Sequence, residues 1–156
     1  MSDELSRLLQ NGHEIIVRDW AEKVSADKRI NSDERLSYLQ LVDHVPQIVE
    51  ELRRALAEGS PDGRMLRQGA EHGRQRWRQG YELKEVVREL TLLRATLMEF
   101  LDTYSGALST RTFDNLSRSY QKINWFMDDE IYRTVEAYLE AHRAHGSNDA
   151  DGGINN

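Results

Sequence analysis

The feature that most constrains the fold is a stripe of apolar residues between Gly80 and Tyr104. Its members recur every three or four positions over about five helical turns, and no proline or glycine lies among them. This spacing lines one face of an α-helix, the face that a globular protein buries. We therefore predict a helix from Glu82 to about Tyr104. Its core stripe consists of Leu83, Val86, Val87, Leu90, Leu93, Leu97, Phe100 and Leu101.

Helical spacing continues through most of the chain, which has only two prolines and ten glycines among its 156 residues. A first helix is predicted from Asp3 to about Arg29, with an interruption near Gly12 and with Trp20 as a core anchor. Further helix starts are predicted at Ser32, near Val45 or Pro46, at Ser60, and at Ser109 or Thr110.

The predicted fold class is all-α, a single-domain bundle of about five or six helices with a long C-terminal helix. A chain of this length fits one domain. We assign residues 1–145 to a helical domain, with the last helix ending at about Ala144. We assign residues 146–156 to a disordered tail, because that sequence is polar and rich in glycine.

The composition excludes several classes of function. The absence of cysteine excludes disulfides, thiolate catalysis and cysteine-based metal sites. A net charge of −6 argues against nucleic acids and anionic membranes as partners. We find no signal peptide and no apolar run of the ~20 residues that span a membrane, so we predict a cytoplasmic protein without membrane insertion. Motifs for nucleophilic catalysis or phosphate binding are also missing, and we predict no enzymatic activity.

The helix predicted to end near Arg78 carries small residues on its inner face. Gly69 and Gly73 lie four positions apart with Ala70 between them, and Leu66 and Trp77 extend the face. A glycine inside a helix costs roughly 0.5–1 kcal/mol relative to alanine, so two of them indicate a packing or functional reason. Two interpretations are open: a close approach of two backbones, or a small cavity.

His72 is the histidine with the most informative neighbours, because it lies beside Gly73 and one helical turn before Arg76. It would either bind a ligand such as haem iron or be a buried imidazole bonded to a carboxylate or carbonyl. His142 and His145 lie three positions apart, which could suit a metal ion. We expect both to be solvated instead, and no metal site is predicted.

Arg94 falls on the apolar stripe between Leu90 and Leu97, where an unpaired charge would be costly. It would either form a structural ion pair or belong to an anion clamp. The candidate ion-pair partners are Glu71, Glu89 and Asp43, and the candidate clamp members are Arg74, Arg76 and Arg78. Because residues two apart point to different sides of a helix, those three arginines are predicted to diverge.

The final helix carries a seam with spacings of three and four residues, typical of a bundle or a short coiled coil. We predict that this seam mediates homodimerisation and passes a signal to a partner. Its members are Leu116, Tyr120, Ile123, Met127, Ile131 and Val135.

Four short motifs in order resemble one known sensory domain, over roughly Ile15 to Tyr104. They are Asp43-His44-Val45-Pro46, His72-Gly73-x-x-Arg76, Gly80-Tyr81-x-Leu83 and Val87-x-Glu89-Leu90-x-x-Leu93-Arg94. The chain is similar to the RsbRD-type amino-terminal domain, named for a co-antagonist of the RsbT kinase and also found in front of bacterial sensor histidine kinases. At Leu90 the family favours an aromatic residue, a departure that barely affects the match.

The resemblance implies an all-helical input module for stress-response signalling. Related domains have a globin-like fold without haem and form dimers, and they commonly continue into a regulatory domain or a kinase. This chain would then be either an excised input domain or a free-standing relative. The ligand-binding residues that we predict on this basis, extended to two neighbouring aromatic residues, are His44, His72, Arg76, Arg94, Trp77 and Tyr81.

Three functional hypotheses follow. The first is a non-enzymatic input domain that modulates a partner kinase or output module through helix repacking, without a cofactor. The second is a globin-like sensor in which His72 or His44 binds haem, another tetrapyrrole or a small ligand. The third is a protein–protein adaptor bundle.

Overall fold

The computed structural model describes residues 2–58, 67–108 and 113–151, and within these ranges every regular element is helical. The predicted all-α single domain with a long C-terminal helix is confirmed. The starts predicted at Ser60 and at Ser109 or Thr110 lie outside the described residues, as does Leu66. The α-helices are α1 (Ser2–Asn11), α2 (His13–Ala26), α3 (Tyr38–Val42), α4 (Val45–Glu58), α5 (Arg67–Arg78), α6 (Leu83–Tyr104) and α7 (Phe113–Asp151), with short 3-10 turns at Ser32–Arg35 and Ser105–Ala107.

The core lies where α6 meets its neighbours. Helix α1 packs on α4, α2 packs on α6, and both α5 and α6 pack on α7. The predicted stripe of α6 faces this core, with Leu83 and Val87 half-buried at its margin and the other six members buried. Trp20 of α2 is buried against the same helix, so its role as a core anchor is confirmed.

The glycine face of α5 is a close helix–helix contact rather than a cavity. A Cβ atom added at Gly73 would lie 2.3 Å from the backbone oxygen of Thr134 on α7. The Thr134 hydroxyl donates a hydrogen bond of 2.8 Å to the carbonyl of Gly69, in the same contact. Because backbone atoms fill the space that a side chain would occupy, α5 and α7 can approach closely only where α5 carries glycine.

Gly80 ends α5 in the way its sequence predicts. Its φ of +80° is a left-handed conformation that glycine adopts easily. The Tyr81 amide then donates to the carbonyl of Arg76, and the Gly80 amide donates to that of Trp77, which together form a Schellman cap. The cap folds Tyr81 back under α5, so that the Arg76 guanidinium lies 4.8 Å from the centre of its ring.

The helix start predicted at Ser32 is wrong, because Glu85 of α6 uses the donors of that residue. The Glu85 carboxylate accepts hydrogen bonds from the amide and hydroxyl of Ser32, at 3.0 and 2.8 Å, and from the amide of Asn31. These bonds hold a 3-10 turn. The next helix, α3, begins after Ser37, whose hydroxyl accepts from the Gln40 amide as an N-cap.

Helix α7 differs from its prediction in length and in orientation. It continues through the polar sequence to Asp151, beyond the predicted end near Ala144, since extending an existing helix adds one hydrogen bond for each residue ordered. The predicted dimer seam faces the chain's own core. Ile123 and Met127 are fully buried, and the half-buried members of the seam are Leu116, Tyr120, Ile131 and Val135.

No helix within the described ranges is both long enough and apolar enough to cross a membrane.

Candidate functional site

Four side chains from α5, α6 and the turn between them form a buried polar network, consisting of His72, Arg76, Tyr81 and Glu89. One carboxylate oxygen of Glu89, Oε2, lies 2.9 Å from Nε2 of His72 and also accepts a 2.9 Å bond from Nε of Arg76. His72, Arg76 and Glu89 are each at most 1% exposed, and Tyr81 is 2% exposed. The negative and the positive charge are therefore buried together, which a protein interior tolerates only when each is paired.

Every nitrogen of the Arg76 guanidinium donates a hydrogen bond within the protein. Nη1 donates to the side chain of Gln79 at 2.7 Å and to the carbonyl of Gln40 at 3.3 Å. Nη2 donates to the carbonyl of Leu41 at 2.5 Å. These carbonyls belong to α3, so Arg76 joins the short helix to α5. The planar fork of arginine suits such a divided role, whereas a lysine ammonium does not.

The network also reaches two further helices, α2 and α7. The indole N–H of Trp20 on α2 donates a 2.9 Å bond to the backbone carbonyl of Glu89. The hydroxyl of Tyr138 on α7 donates a 2.6 Å bond to the backbone carbonyl of Tyr81. Five helices, α2, α3, α5, α6 and α7, thus meet through one group of hydrogen bonds.

Burial sets the protonation of this network. It lowers the pKa of His72, although the bond to Glu89 acts in the opposite direction. His72 is therefore neutral near pH 7, and Nε2 must carry its proton because a carboxylate can only accept. Burial likewise raises the pKa of Tyr81, and the charge of Glu89 adds to the effect. Tyr81 therefore remains a neutral phenol across the physiological range.

Three polar atoms of the network have no hydrogen-bond partner among the described residues: Nδ1 of His72, the hydroxyl of Tyr81 and Oε1 of Glu89. Unbonded buried polar atoms are uncommon and each destabilises a fold by about 1–3 kcal/mol. A rearrangement or a bound polar molecule that supplies partners to these atoms would therefore stabilise the network.

Only three of the six predicted ligand-binding residues belong to the network: His72, Arg76 and Tyr81. His44 lies at its edge, with its ring centre 6.2 Å from that of His72 and its Nε2 3.6 Å from Asp43. Trp77 is half-buried on another side of α5 and packs against the ring of His145, 5.3 Å away.

Arg94 lies outside the network, and its predicted partners are wrong. It forms a 2.6 Å hydrogen bond and ion pair with Asp128 of α7. Glu89 is already paired with Arg76, and Glu71 pairs with Arg74. The predicted divergence of the three arginines of α5 is confirmed, because Arg76 is buried whereas Arg74 and Arg78 are half-buried and exposed.

Glu89 is the central acceptor of the network, whereas the sequence pattern predicts it only as a candidate partner of Arg94 and as a member of one family motif. The signal that could have identified it is its place on α6, where Glu85 and Glu89 are four residues apart beside the apolar stripe. Both are buried, at 4% and 0% exposure. Buried acids need donors from other parts of the chain, and spacing alone does not reveal those donors.

The second functional hypothesis, haem binding by His72, is limited by the hydrogen bond that His72 already makes. Its Nε2 is bonded to Glu89, which leaves Nδ1 as the nitrogen free to bind a metal. In the described parts of the chain, no group of three or more histidine and acidic side chains is arranged to hold a metal ion.

Comparison with known proteins identifies one family. The model of the RsbT co-antagonist protein rsbRD N-terminal domain matches residues 14–151, which is most of the chain and includes the whole network. No curated protein and no solved structure matched the chain.

Proposed function

Because the chain belongs to the RsbRD N-terminal domain family, we propose that it is a non-enzymatic input domain that modulates a partner kinase through a change in helix packing. The family is one of stress-signalling regulatory domains. Its description as a co-antagonist of RsbT suggests the class of partner, an RsbT-type kinase.

The single observation that carries the mechanism is the hydrogen bond between the Tyr138 hydroxyl and the Tyr81 carbonyl. It joins the buried polar network to α7, the longest helix of the domain. A change in the network can therefore alter the packing of α7, since Tyr81 belongs to the network and also accepts the hydrogen bond from α7. A rigid helix of 39 residues would carry such a displacement to either of its ends.

A signal moves this equilibrium only if it favours one packing arrangement over another. The three unbonded atoms of the network supply such a difference, because any arrangement or ligand that satisfies them is favoured. We propose that the ligand or stimulus acts here, at His72, Arg76 and Tyr81, with His44 at the margin. Trp77 and Arg94 are not part of this proposed site.

The experiment is an assay of a purified RsbT-type kinase with increasing amounts of the chain. We expect the wild-type chain to change kinase output, and Tyr138→Phe to change the size of that effect while the domain stays folded. Arg78→Lys is the control, because Arg78 is exposed on α5 and lies outside the network, with a hydrogen bond of 3.5 Å to Gln75. An output that the chain does not alter would contradict the proposed partner. Identical effects of wild-type chain and Tyr138→Phe would contradict the proposed route.

Self-association through α7 is a further part of the proposal, on a different face from the predicted seam. Trp125, Tyr132 and Leu139 are seven residues apart and are 68%, 67% and 36% exposed, which is the heptad spacing of a helix–helix interface. Light scattering over a concentration series should show a dimer that Tyr132→Asp dissociates. A monomer at every concentration would contradict this part and leave the kinase proposal unaffected.

A further inference from the structure

A second buried acid lies on α7, and its surroundings differ from those of Glu89. Glu130 is fully buried, and neither of its carboxyl oxygens accepts a hydrogen bond from an N–H or O–H group of the described residues. Its Oε2 lies against α5, since a Cβ atom added at Gly69 would be 2.3 Å from it. A carboxylate in this position would have lost its water without gaining donors.

The group that faces Glu130 is the carboxyl of Glu51 on α4. Glu51 is 9% exposed, and its Oε1 accepts a 3.1 Å bond from the backbone amide of Gln68 at the start of α5. Both carboxyls therefore lie at the first turn of α5, where Gln68 and Gly69 are consecutive, and Glu51 is the charged group that acts most strongly on Glu130. Two ionised carboxylates in this position repel, whereas one proton between them turns the contact into a hydrogen bond.

The other charges near Glu130 do not replace that proton. The charged neighbours that act most on it, besides Glu51, are Arg133 and Asp129 on its own helix, which oppose each other. Arg133 makes no hydrogen bond to the carboxyl oxygens of Glu130. Burial, followed by the charge of Glu51, raises the pKa of Glu130 to about 9.

We propose that Glu51 and Glu130 share one proton that fastens α7 to α4 and α5, and that loss of this proton in alkaline solution loosens α7. The contact lies at the Gly69 side of the close α5–α7 packing, one helical turn from the bond between Thr134 and Gly69. Because Oε2 of Glu130 is packed against Gly69 of α5, repulsion between two ionised carboxylates would push α7 away from its neighbours. This proton-dependent contact does not depend on the identity of the partner.

The test is a pH titration of the full chain from about pH 5 to about pH 10, with two readouts. Carbon-13 NMR of the glutamate side-chain carboxyls reports proton occupancy directly. Amide hydrogen exchange, expressed as protection factors that correct for the intrinsic effect of pH, reports how firmly α7 is packed.

We expect one glutamate to titrate far above the ordinary value of about 4.3, with a loss of protection in the middle of α7 over the same pH range. In Glu130→Gln this titration should vanish and the protection of α7 should no longer change with pH, since the amide donates to Glu51 as the proton does. Glu51→Gln should act in the same way. Glu136→Gln, an exposed change on the same helix, should leave both readouts as in the wild-type chain.

The proposal is overturned if all glutamates of the wild-type chain titrate in the ordinary range. It is also overturned if either glutamine variant keeps the pH dependence of α7. Should neither variant fold, the carboxyl titration of the wild-type chain still decides. A failed kinase assay would leave these readouts unchanged, so the two proposals can fail separately.

Discussion

Glu89 and Glu130 are equally buried, yet their surroundings give them opposite roles. Glu89 accepts from Arg76 and lies against a neutral imidazole, so that its negative charge is matched by a positive one. Glu130 faces another acid and receives no donor among the described residues. The first arrangement joins five helices through a matched pair of charges, whereas the second, as proposed above, joins α7 to α4 and α5 through a shared proton. Burial of an acid therefore says little about its role until its partners are known.

The largest expected effect comes from making Glu89 resemble Glu130. Arg76→Met removes the paired charge and its bonds to α3 while keeping an unbranched, apolar side chain. Breaking a buried pair in this way destabilises a protein by about 3–5 kcal/mol, and we expect a loss of that size in urea unfolding at pH 7. Adding Glu89→Gln to this variant should restore part of the stability, because the unmatched charge is removed. Equal stability of Arg76→Met and the wild-type chain would show that Glu89 does not depend on Arg76 for its stability in the core.

The second prediction replaces Glu130 by glutamine, whose amide can donate a hydrogen bond without carrying a charge. The pKa of Glu130 is raised on folding from about 4.3 to about 9, so between these values the folded state holds a proton that the unfolded state has lost. The free energy of unfolding should therefore fall as pH rises through this window. Glu130→Gln should remove this slope and stabilise the chain by about 1–3 kcal/mol near pH 8. A destabilised Glu130→Gln variant with an unchanged slope would show that Glu130 is paired after all.

The smallest expected effect on stability comes from Arg94 and Asp128, because they form an ion pair near the surface. Their side chains are 30% and 66% exposed. Exposed pairs contribute about 0.2–1 kcal/mol, so Asp128→Asn should reduce stability by no more than that, with an effect that weakens as salt is added. A loss comparable to that of Arg76→Met would place Arg94 among the residues of the buried site.

Local signals in the sequence predict much of this fold. The apolar stripe of α6 and the break at Gly80 depend on residues close together in the chain, and both are confirmed. Ser32 was misinterpreted because its partner, Glu85, is 53 residues away. The partner of Arg94 depends on how α6 meets α7, which periodicity does not specify. The seam of α7 has the predicted helical spacing, but the spacing does not show that this side faces the chain's own core.

The candidate site was predicted only in part, because some of its contacts are local in the chain and others join distant residues. His72, Arg76 and Tyr81 come together because one helix and its Schellman cap place them within ten residues. Glu89 and the Glu51–Glu130 pair join residues from different helices. Acids are far more often exposed than buried, and helical spacing does not show which groups from other helices face Glu51, Glu89 and Glu130.

The central claim is that the buried polar network is coupled to α7 through Tyr81. A double-mutant cycle of Arg76→Lys and Tyr138→Phe, followed by urea unfolding, measures that coupling directly. Arg76→Lys keeps the charge but changes the contact between the guanidinium and the Tyr81 ring. Tyr138→Phe removes the hydrogen bond to the Tyr81 carbonyl. We predict an interaction free energy above about 0.5 kcal/mol, the range of residues that share a partner. Stability changes that add within about 0.3 kcal/mol would contradict the coupling, and with it the proposed route from the network to the last helix.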